Sequence, residues 1–262
     1  MNTDCILEVK DVSKSFHGLA GASLTVLDKI NIKIDKPSSG GIITSIVSPF
    51  NSGKTTLLKI ISGIEKPSSG EVFIEGKIHN KADGTAAFVP EKPSSFPWMN
   101  VKQNIQFAIE VSKSPGKKEK ANVDEMISAV GLAGYEDHFP HEKSAGFRLR
   151  ISIARVLAAG TKLILLDDNF KILHGETKKE IIQLIKFLSR EHGENFLFST
   201  SNINDAVSIS NKLFVMSNRP GKIIKIIDND LSKLDESGYI SSIKNEIENC
   251  FSGHDRIPSF AN

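Results

Sequence analysis

Apolar residues dominate Ile6 to Val9 and alternate with polar ones at Ile30 to Ile34, both read as strands, and an apolar run from Gly41 to Val47 follows. A period of two puts one face of a strand on a core, whereas a short unbroken apolar run reads as a strand buried on both faces. Further short strands are predicted at Glu71 to Ile74 and at Thr85 to Val89. From Met99 to about Gly160 the spacing becomes helical, with Ile105, Ala108 and Ile109 on one stripe and Val123, Met126, Ile127 and Val130 on another. The last part alternates strand Lys162 to Leu166, helix Thr177 to Ser189, strand Asn195 to Thr200, helix Ile203 to Ser210 and strand Lys212 to Met216. That order predicts an α/β fold with a largely parallel sheet and helices on its faces, and residues 99–160 read as an inserted helical lobe. A final helix is predicted within Leu231 to Phe251, with Ile240, Ile243 and Ile247 on one face; beyond Ser252 the pattern stops.

Punctuation recurs as Lys36-Pro37-Ser38-Ser39-Gly40, Lys66-Pro67-Ser68-Ser69-Gly70 and Lys92-Pro93-Ser94-Ser95. These read as turns rather than as a structural repeat, because Pro presets φ and Gly frees it.

A chain of 262 residues can form one large domain or a domain with an inserted lobe. With 39% hydrophobic and 24% charged residues it reads as an ordinary globular protein, and no apolar run approaches the roughly 20 residues that span a bilayer. Asp4, Glu8, Lys10 and Asp11 interrupt any apolar core of a signal peptide. A formal charge of +2 is too small to argue for nucleic acid, and the basic cluster Lys117, Lys118, Lys120 is broken by Glu119. Cys5 and Cys250 lie near opposite ends without metal-ligand or CxxC spacing, as expected of free thiols in a reducing cytoplasm. His138, His141 and Glu142 are close in sequence, but Pro140 breaks the helix geometry that would converge them on a metal.

The chemistry concentrates in Ser48-Pro49-Phe50-Asn51-Ser52-Gly53-Lys54-Thr55-Thr56, between the apolar run ending at Val47 and a helical pattern carrying Leu57, Leu58, Ile60 and Ile61. Strand, loop and helix form the context in which Gly-Lys-Thr signals a nucleotide. Backbone N–H groups of Asn51, Ser52, Gly53 and Thr56 and the helix N-terminus would face phosphates, Lys54 would supply charge, and Thr55 would offer a hydroxyl to Mg2+. The pattern GxxxxGK[ST] fails only at its first position, where Ser48 replaces Gly.

With the segments below, this loop resembles the nucleotide-binding subunit of ATP-binding cassette (ABC) transporters over nearly the whole chain, from Phe16 to about Ile226. The segments Ser95 to Ile105 and Ser217 to Ile223 look most like importers of the nitrate, sulfonate and taurine group. The resemblance implies a P-loop NTPase core of the ABC ATPase kind, with an antiparallel β subdomain and an inserted helical subdomain. The whole chain, 1–262, would then be a single nucleotide-binding domain, with 231–262 as a C-terminal extension. It also implies ATP and Mg2+ as ligands, a homodimer or heterodimer with another such subunit, and a transmembrane permease as partner. The expected location is cytoplasmic, peripheral on the inner face of the membrane.

Each motif of the family is present in altered form. Asn51 stands where the family has a second Gly, and Asn tolerates the left-handed backbone best after Gly. Ser48 would cost on the order of 1 kcal/mol if its φ were positive. Phe16 falls where the family stacks an aromatic on adenine, and it reads equally as a core residue. Glu91 occupies the place of a Gln that touches Mg2+, and its carboxylate can also face a cation. Lys143-Ser144-Ala145-Gly146-Phe147 aligns with the signature Leu-Ser-Gly-Gly-Gln, so Ser144 and Gly146 would address a γ-phosphate across a dimer interface; an ordinary helix cap by Ser144 is the alternative.

Leu163 to Asp168 matches the second acidic motif, with Asp167 helping to hold Mg2+ and Asp168 in place of the Glu that orients the attacking water. One methylene fewer withdraws that carboxylate by about 1.5 Å, and misplacement on the order of 1 Å can cost roughly 100-fold in rate. Asn169 to His174 replaces Pro-Phe-Ser-Ala-Leu-Asp, and Ser201 stands where the family has a His that meets the γ-phosphate.

Two functions follow from the resemblance. One is an ATPase subunit that powers a transporter; the other is a module that closes on MgATP but hydrolyses it poorly, with Asp168 and Ser201 as its altered catalytic positions. Residues Glu91 to Val101, with Phe96 and Trp98 as anchors or alternatively as core, are expected to dock the transmembrane partner.

Overall fold

A computed structural model describes residues 5–18, 22–92, 94–112 and 122–254. The cluster at Lys117 to Lys120, like Asp4, lies outside the described residues. The chain begins with a long hairpin of β1 (Cys5–His17) and β2 (Ser23–Asp35), then enters β3 (Ile43–Val47) and α1 (Lys54–Ile61). Three short strands follow, β4 (Ser69–Ile74), β5 (Lys77–Ile78) and β6 (Ala86–Val89). Helices α2 (Val101–Val111), α3 (Val123–Ala129) and α4 (Ala145–Ala159) lead to β7 (Leu163–Asp167). The remainder alternates α5 (Gly175–His192), β8 (Phe196–Thr200), α6 (Ile203–Ile209), β9 (Lys212–Met216), β10 (Ile223–Asp228) and α7 (Tyr239–His254).

The strands form two sheets, a four-stranded one ordered β2-β1-β4-β5 and a six-stranded one ordered β10-β9-β3-β8-β7-β6. In the first, every pairing is antiparallel. In the second, β9, β3, β8, β7 and β6 run parallel and β10 is an antiparallel edge. The central strands are apolar on both faces because both faces are covered. Leu163, Leu165, Leu197 and Phe214 pack with α1 and the antiparallel sheet, while Ile164, Leu166, Phe196, Phe198 and Val215 pack with α4, α5 and α6. Helix α1 is therefore clamped between the sheets through Leu57, Leu58, Ile60 and Ile61. Each such fully buried side chain contributes about 1.5–3 kcal/mol, so the loop preceding α1 is anchored by the best-packed part of the molecule.

Three expectations change. Both strands of the first hairpin run 13 residues, beyond the predicted cores, because register shifts between Val9 and Ser15 let them twist onward. Ser69 and Gly70, read as turn, belong to β4, where Ser69 pairs with Ser13 of β1 across a register shift. Phe96 and Trp98 are not core residues: Trp98 is 69% exposed and leans on Phe96 with ring centroids 5.4 Å apart. Among the described residues, no helix is long and apolar enough to cross a membrane.

Candidate functional site

The parallel strands bring their carboxyl ends to one edge of the sheet, the place where open α/β sheets bind ligands. Val47 pairs with Thr200, and Asp167 pairs with Ser199, so the loop after β3 lies across β8 from the acids at the end of β7. In that loop Asn51 has φ 60 and Gly53 has φ 103. A Cβ at Gly53 would sit 2.8 Å from Val26 Cγ1, so the glycine answers both a backbone conformation and a close approach by β2. Asn51 takes the left-handed backbone anticipated for it. Ser48 has no positive φ, so the conditional strain cost does not arise.

The Ser48 hydroxyl instead joins the loop's wiring. Its Oγ lies 2.5 Å from Ser52 Oγ, and both residues are buried. Lys54 Nζ donates to Ser48 Oγ at 3.1 Å, to Ser48 O at 3.0 Å and to Pro49 O at 2.9 Å. Burial pushes the Lys54 ammonium below its ordinary pKa, and the carboxylates of Asp168 and Asp167 oppose that shift. Among the described residues, no carboxylate comes within 4.0 Å of it. A buried cation whose partners are neutral oxygens fits an anionic ligand.

Thr55 Oγ1 donates to Asp167 Oδ2 at 2.8 Å, and Ser199 Oγ donates to Asp167 Oδ1 at 2.7 Å. These hard oxygens beside a polyanion site fit Mg2+. Asp168, next in the chain, is half-buried with φ 47, a left-handed conformation that Asp adopts more readily than most residues. Its N–H donates to Ser199 O at 3.0 Å. Burial pushes its carboxyl above the ordinary value, while Lys54 and Lys171 pull it back.

A cavity of about 590 Å3 opens over these groups. Of the residues singled out from sequence, Phe16, Asn51, Ser52, Gly53, Lys54, Thr55, Thr56, Glu91, Asp167 and Asp168 line it. Phe16 is 42% exposed, with Lys14 Nζ 4.9 Å from its ring centroid, so the core reading of this residue is set aside. Ser144, Gly146 and Ser201 do not line the cavity. Ser144 is exposed and caps α4, its Oγ accepting from Phe147 N at 3.3 Å. Gly146 is buried against α5, where a Cβ would meet Thr177 Cγ2 at 2.4 Å. Ser201 follows β8 directly.

Five lining residues escaped the sequence reading: the apolar Leu24 and Val26 of β2, and Phe50, Lys171 and Arg219. Arg219 Nε donates to Asn51 O at 3.2 Å, and its loop joins β2 through Gly221 N to Val26 O at 2.8 Å and Asp28 N to Gly221 O at 3.0 Å. Lys171 lies on the turn after β7, with Nζ 3.2 Å from Glu91 Oε1 and 4.9 Å from the Phe50 ring centroid.

The profile of the ABC transporter family matches residues 30–171. The chain is 31% identical over 226 residues to an aliphatic sulfonates import ATP-binding protein of Bacillus thuringiensis, covering 86% of this chain and 87% of that protein. It is 30% identical over 217 residues to a nitrate import ATP-binding protein of Synechocystis, covering 83% and 80%. Among solved structures, cbiO1 from Clostridium perfringens, part of the ABC transporter complex cbiONQ, superposes with a TM-score of 0.74 at 25% identity, covering 94% of this chain and 97% of that one. The fold also matches a dimeric ATP-binding cassette bound to ADP and Pi, with a TM-score of 0.70 at 24% identity, covering 86% and 99%.

Proposed function

This chain belongs to the ABC transporter family, and from that premise we propose that it is the ATP-binding subunit of an importer, a module that closes on MgATP and hydrolyses it weakly or not at all. One observation carries the reading: Lys54, Thr55 and Asp167 converge on one cavity and bond to the loop or to each other, whereas Ser201 lies off the cavity and Asp168 carries the shorter of the two acidic side chains. Binding a polyphosphate requires charge and backbone donors, and cleavage adds the stringent placement of a water.

In this reading Phe16 offers its exposed ring to adenine, and the loop N–H groups from Asn51 to Thr56 meet the phosphates with Lys54. Thr55 and Asp167, with Glu91 at the rim, would hold Mg2+, which when bound supplies charge neutralisation to the phosphates. Two copies, or this chain and a related subunit, close so that Ser144 and the backbone at Gly146 of one face the terminal phosphate held by the other. Residues 99–160 act as a helical lobe, and 231–262 as a C-terminal extension, of a single nucleotide-binding domain spanning 1–262.

The segment Glu91 to Val101 docks a transmembrane permease through exposed Trp98 and the Phe96 ring, on which Arg155 stacks at 4.5 Å. The chain then sits at the cytoplasmic face of the membrane through that permease. A second reading, an active ATPase, draws on Asp168 itself: a half-buried carboxyl with a raised pKa lining the cavity has the protonation behaviour of a general base. Single-turnover measurement decides between them. Measurable MgATP binding with little γ-phosphate cleavage is the expected result, and rapid cleavage by the isolated protein would refute the weak-hydrolysis reading.

A further inference from the structure

Two oppositely charged side chains meet at the mouth of the cavity, and neither is explained by the loop. Glu91 and Lys171 pair at 3.2 Å, both partly exposed, and both line the same cavity as Lys54 and Asp168. The lining residues carry three basic side chains, Lys54, Lys171 and Arg219, and three acidic ones, Glu91, Asp167 and Asp168. Without Lys171 the acids would outnumber the bases in a cavity that fits a polyanion. The ammonium of Lys171 also repels that of Lys54, and this unfavourable pairing is relieved by any anion placed between them.

The position of Lys171 says which part of an anion it meets. It lies three residues beyond Asp168 on the turn that follows β7, and its N–H donates to Asp168 O at 3.1 Å. Phe16 comes instead from β1, in the other sheet. Lys171 therefore enters the cavity with Asp168 from the six-stranded sheet, and Phe16 from the four-stranded one. The Lys171 ammonium lies 4.9 Å from the ring centroid of Phe50 in the phosphate loop, a cation–π contact that biases its position while the side chain stays 47% exposed. An exposed lysine ion pair contributes little net free energy in water, so Glu91 holds Lys171 in a contact weak enough to be exchanged for a phosphate oxygen.

We propose that Lys171 is a second phosphate-binding cation, selective for the terminal phosphate of a nucleoside triphosphate, and that Glu91 holds it in reserve until that phosphate arrives. This rests on the nucleotide reading of the cavity given above. Glu91 then acts as a positioning residue, and Lys171 as a specificity residue that distinguishes the triphosphate from the diphosphate.

Calorimetric titration of the full chain with MgATP, with a non-hydrolysable triphosphate analogue and with MgADP tests this. Lys171→Met keeps an unbranched side chain of similar length and removes the charge, and with it the contact to the Phe50 ring. It is expected to weaken triphosphate binding about tenfold and to leave MgADP affinity unchanged. Lys171→Arg should restore most of the difference. Measured without Mg2+, so that the place of Glu91 at the rim of the metal site does not enter, Glu91→Gln should tighten triphosphate binding several-fold in the parent and lose that gain when combined with Lys171→Met. Equal loss of triphosphate and diphosphate, or no loss of either, overturns the proposal while leaving the nucleotide reading intact, provided Lys54→Ala abolishes both. Failure of the unaltered chain to bind any nucleotide overturns both.

Discussion

The loop between β3 and α1 and the turn-rich stretch after β7 flank the same cavity, yet they have tolerated change in different ways. In the loop, both departures from the family's usual glycines, at Ser48 and Asn51, are absorbed by structure. Asn51 adopts φ 60, and the Ser48 hydroxyl satisfies Ser52 and Lys54. Across the sheet Asp168 carries a side chain one methylene shorter than Glu and Ser201 does not line the cavity; under the proposed reading these departures are not compensated. The difference teaches that binding rests on backbone donors and one buried charge, which several side chains can support. Chemistry rests on the placement of single atoms, which few can supply.

The largest effect separating the two regions is expected at Lys54. Lys54→Ala removes a buried ammonium that would make charge-assisted bonds to phosphate, each worth about 1.5–3 kcal/mol. MgATP affinity should fall by roughly 100-fold or more, while the fold, held by the packing around α1, melts as a single transition. Unchanged affinity by calorimetry would break the comparison at its base.

Much of this arrangement was legible beforehand, and for identifiable reasons. The central strands are buried on both faces, so Gly41 to Val47, Leu163 to Leu166 and Phe196 to Thr200 announce themselves as apolar runs. The loop was legible because its chemistry depends on contiguous residues. Strand β10 was missed because its side chains are mostly exposed or half-buried and its alternation is weak. The Glu91–Lys171 pair, the Ser199 bond to Asp167 and the reach of Arg219 were missed because each joins residues that only the sheet order brings together. The exposure of Phe16 and Trp98 likewise depends on which surfaces the lobe and the hairpin leave uncovered.

The next effect would sharpen the contrast by repairing the weaker side. Asp168→Glu combined with Ser201→His restores reach toward the attacking water and a cation toward the terminal phosphate. Single-turnover cleavage is expected to rise by roughly 100-fold, with MgATP affinity altered little. No gain, with binding preserved, would move the defect to the segment Lys143 to Phe147 or to the geometry of dimer closure.

The smallest effect concerns what the altered acid costs the fold. Burial raises the Asp168 pKa above that of the unfolded chain, against the pull of Lys54 and Lys171. As pH rises from about 4, the ordinary carboxylate value, the unfolded state ionises first. Stability therefore falls through the interval between that value and the raised native one, and the loss persists at neutral pH. Asp168→Asn keeps a residue that accepts the left-handed backbone and removes the titration. Thermal melts should show a Tm gain at pH 7 equivalent to under about 1 kcal/mol, since the partly exposed group is screened by solvent, and the gain should vanish toward pH 3. A variant less stable than the parent at pH 7 would mean that the Asp168 carboxylate is held by Lys54 and Lys171 more strongly than burial opposes it, making it part of the same electrostatic unit as the loop.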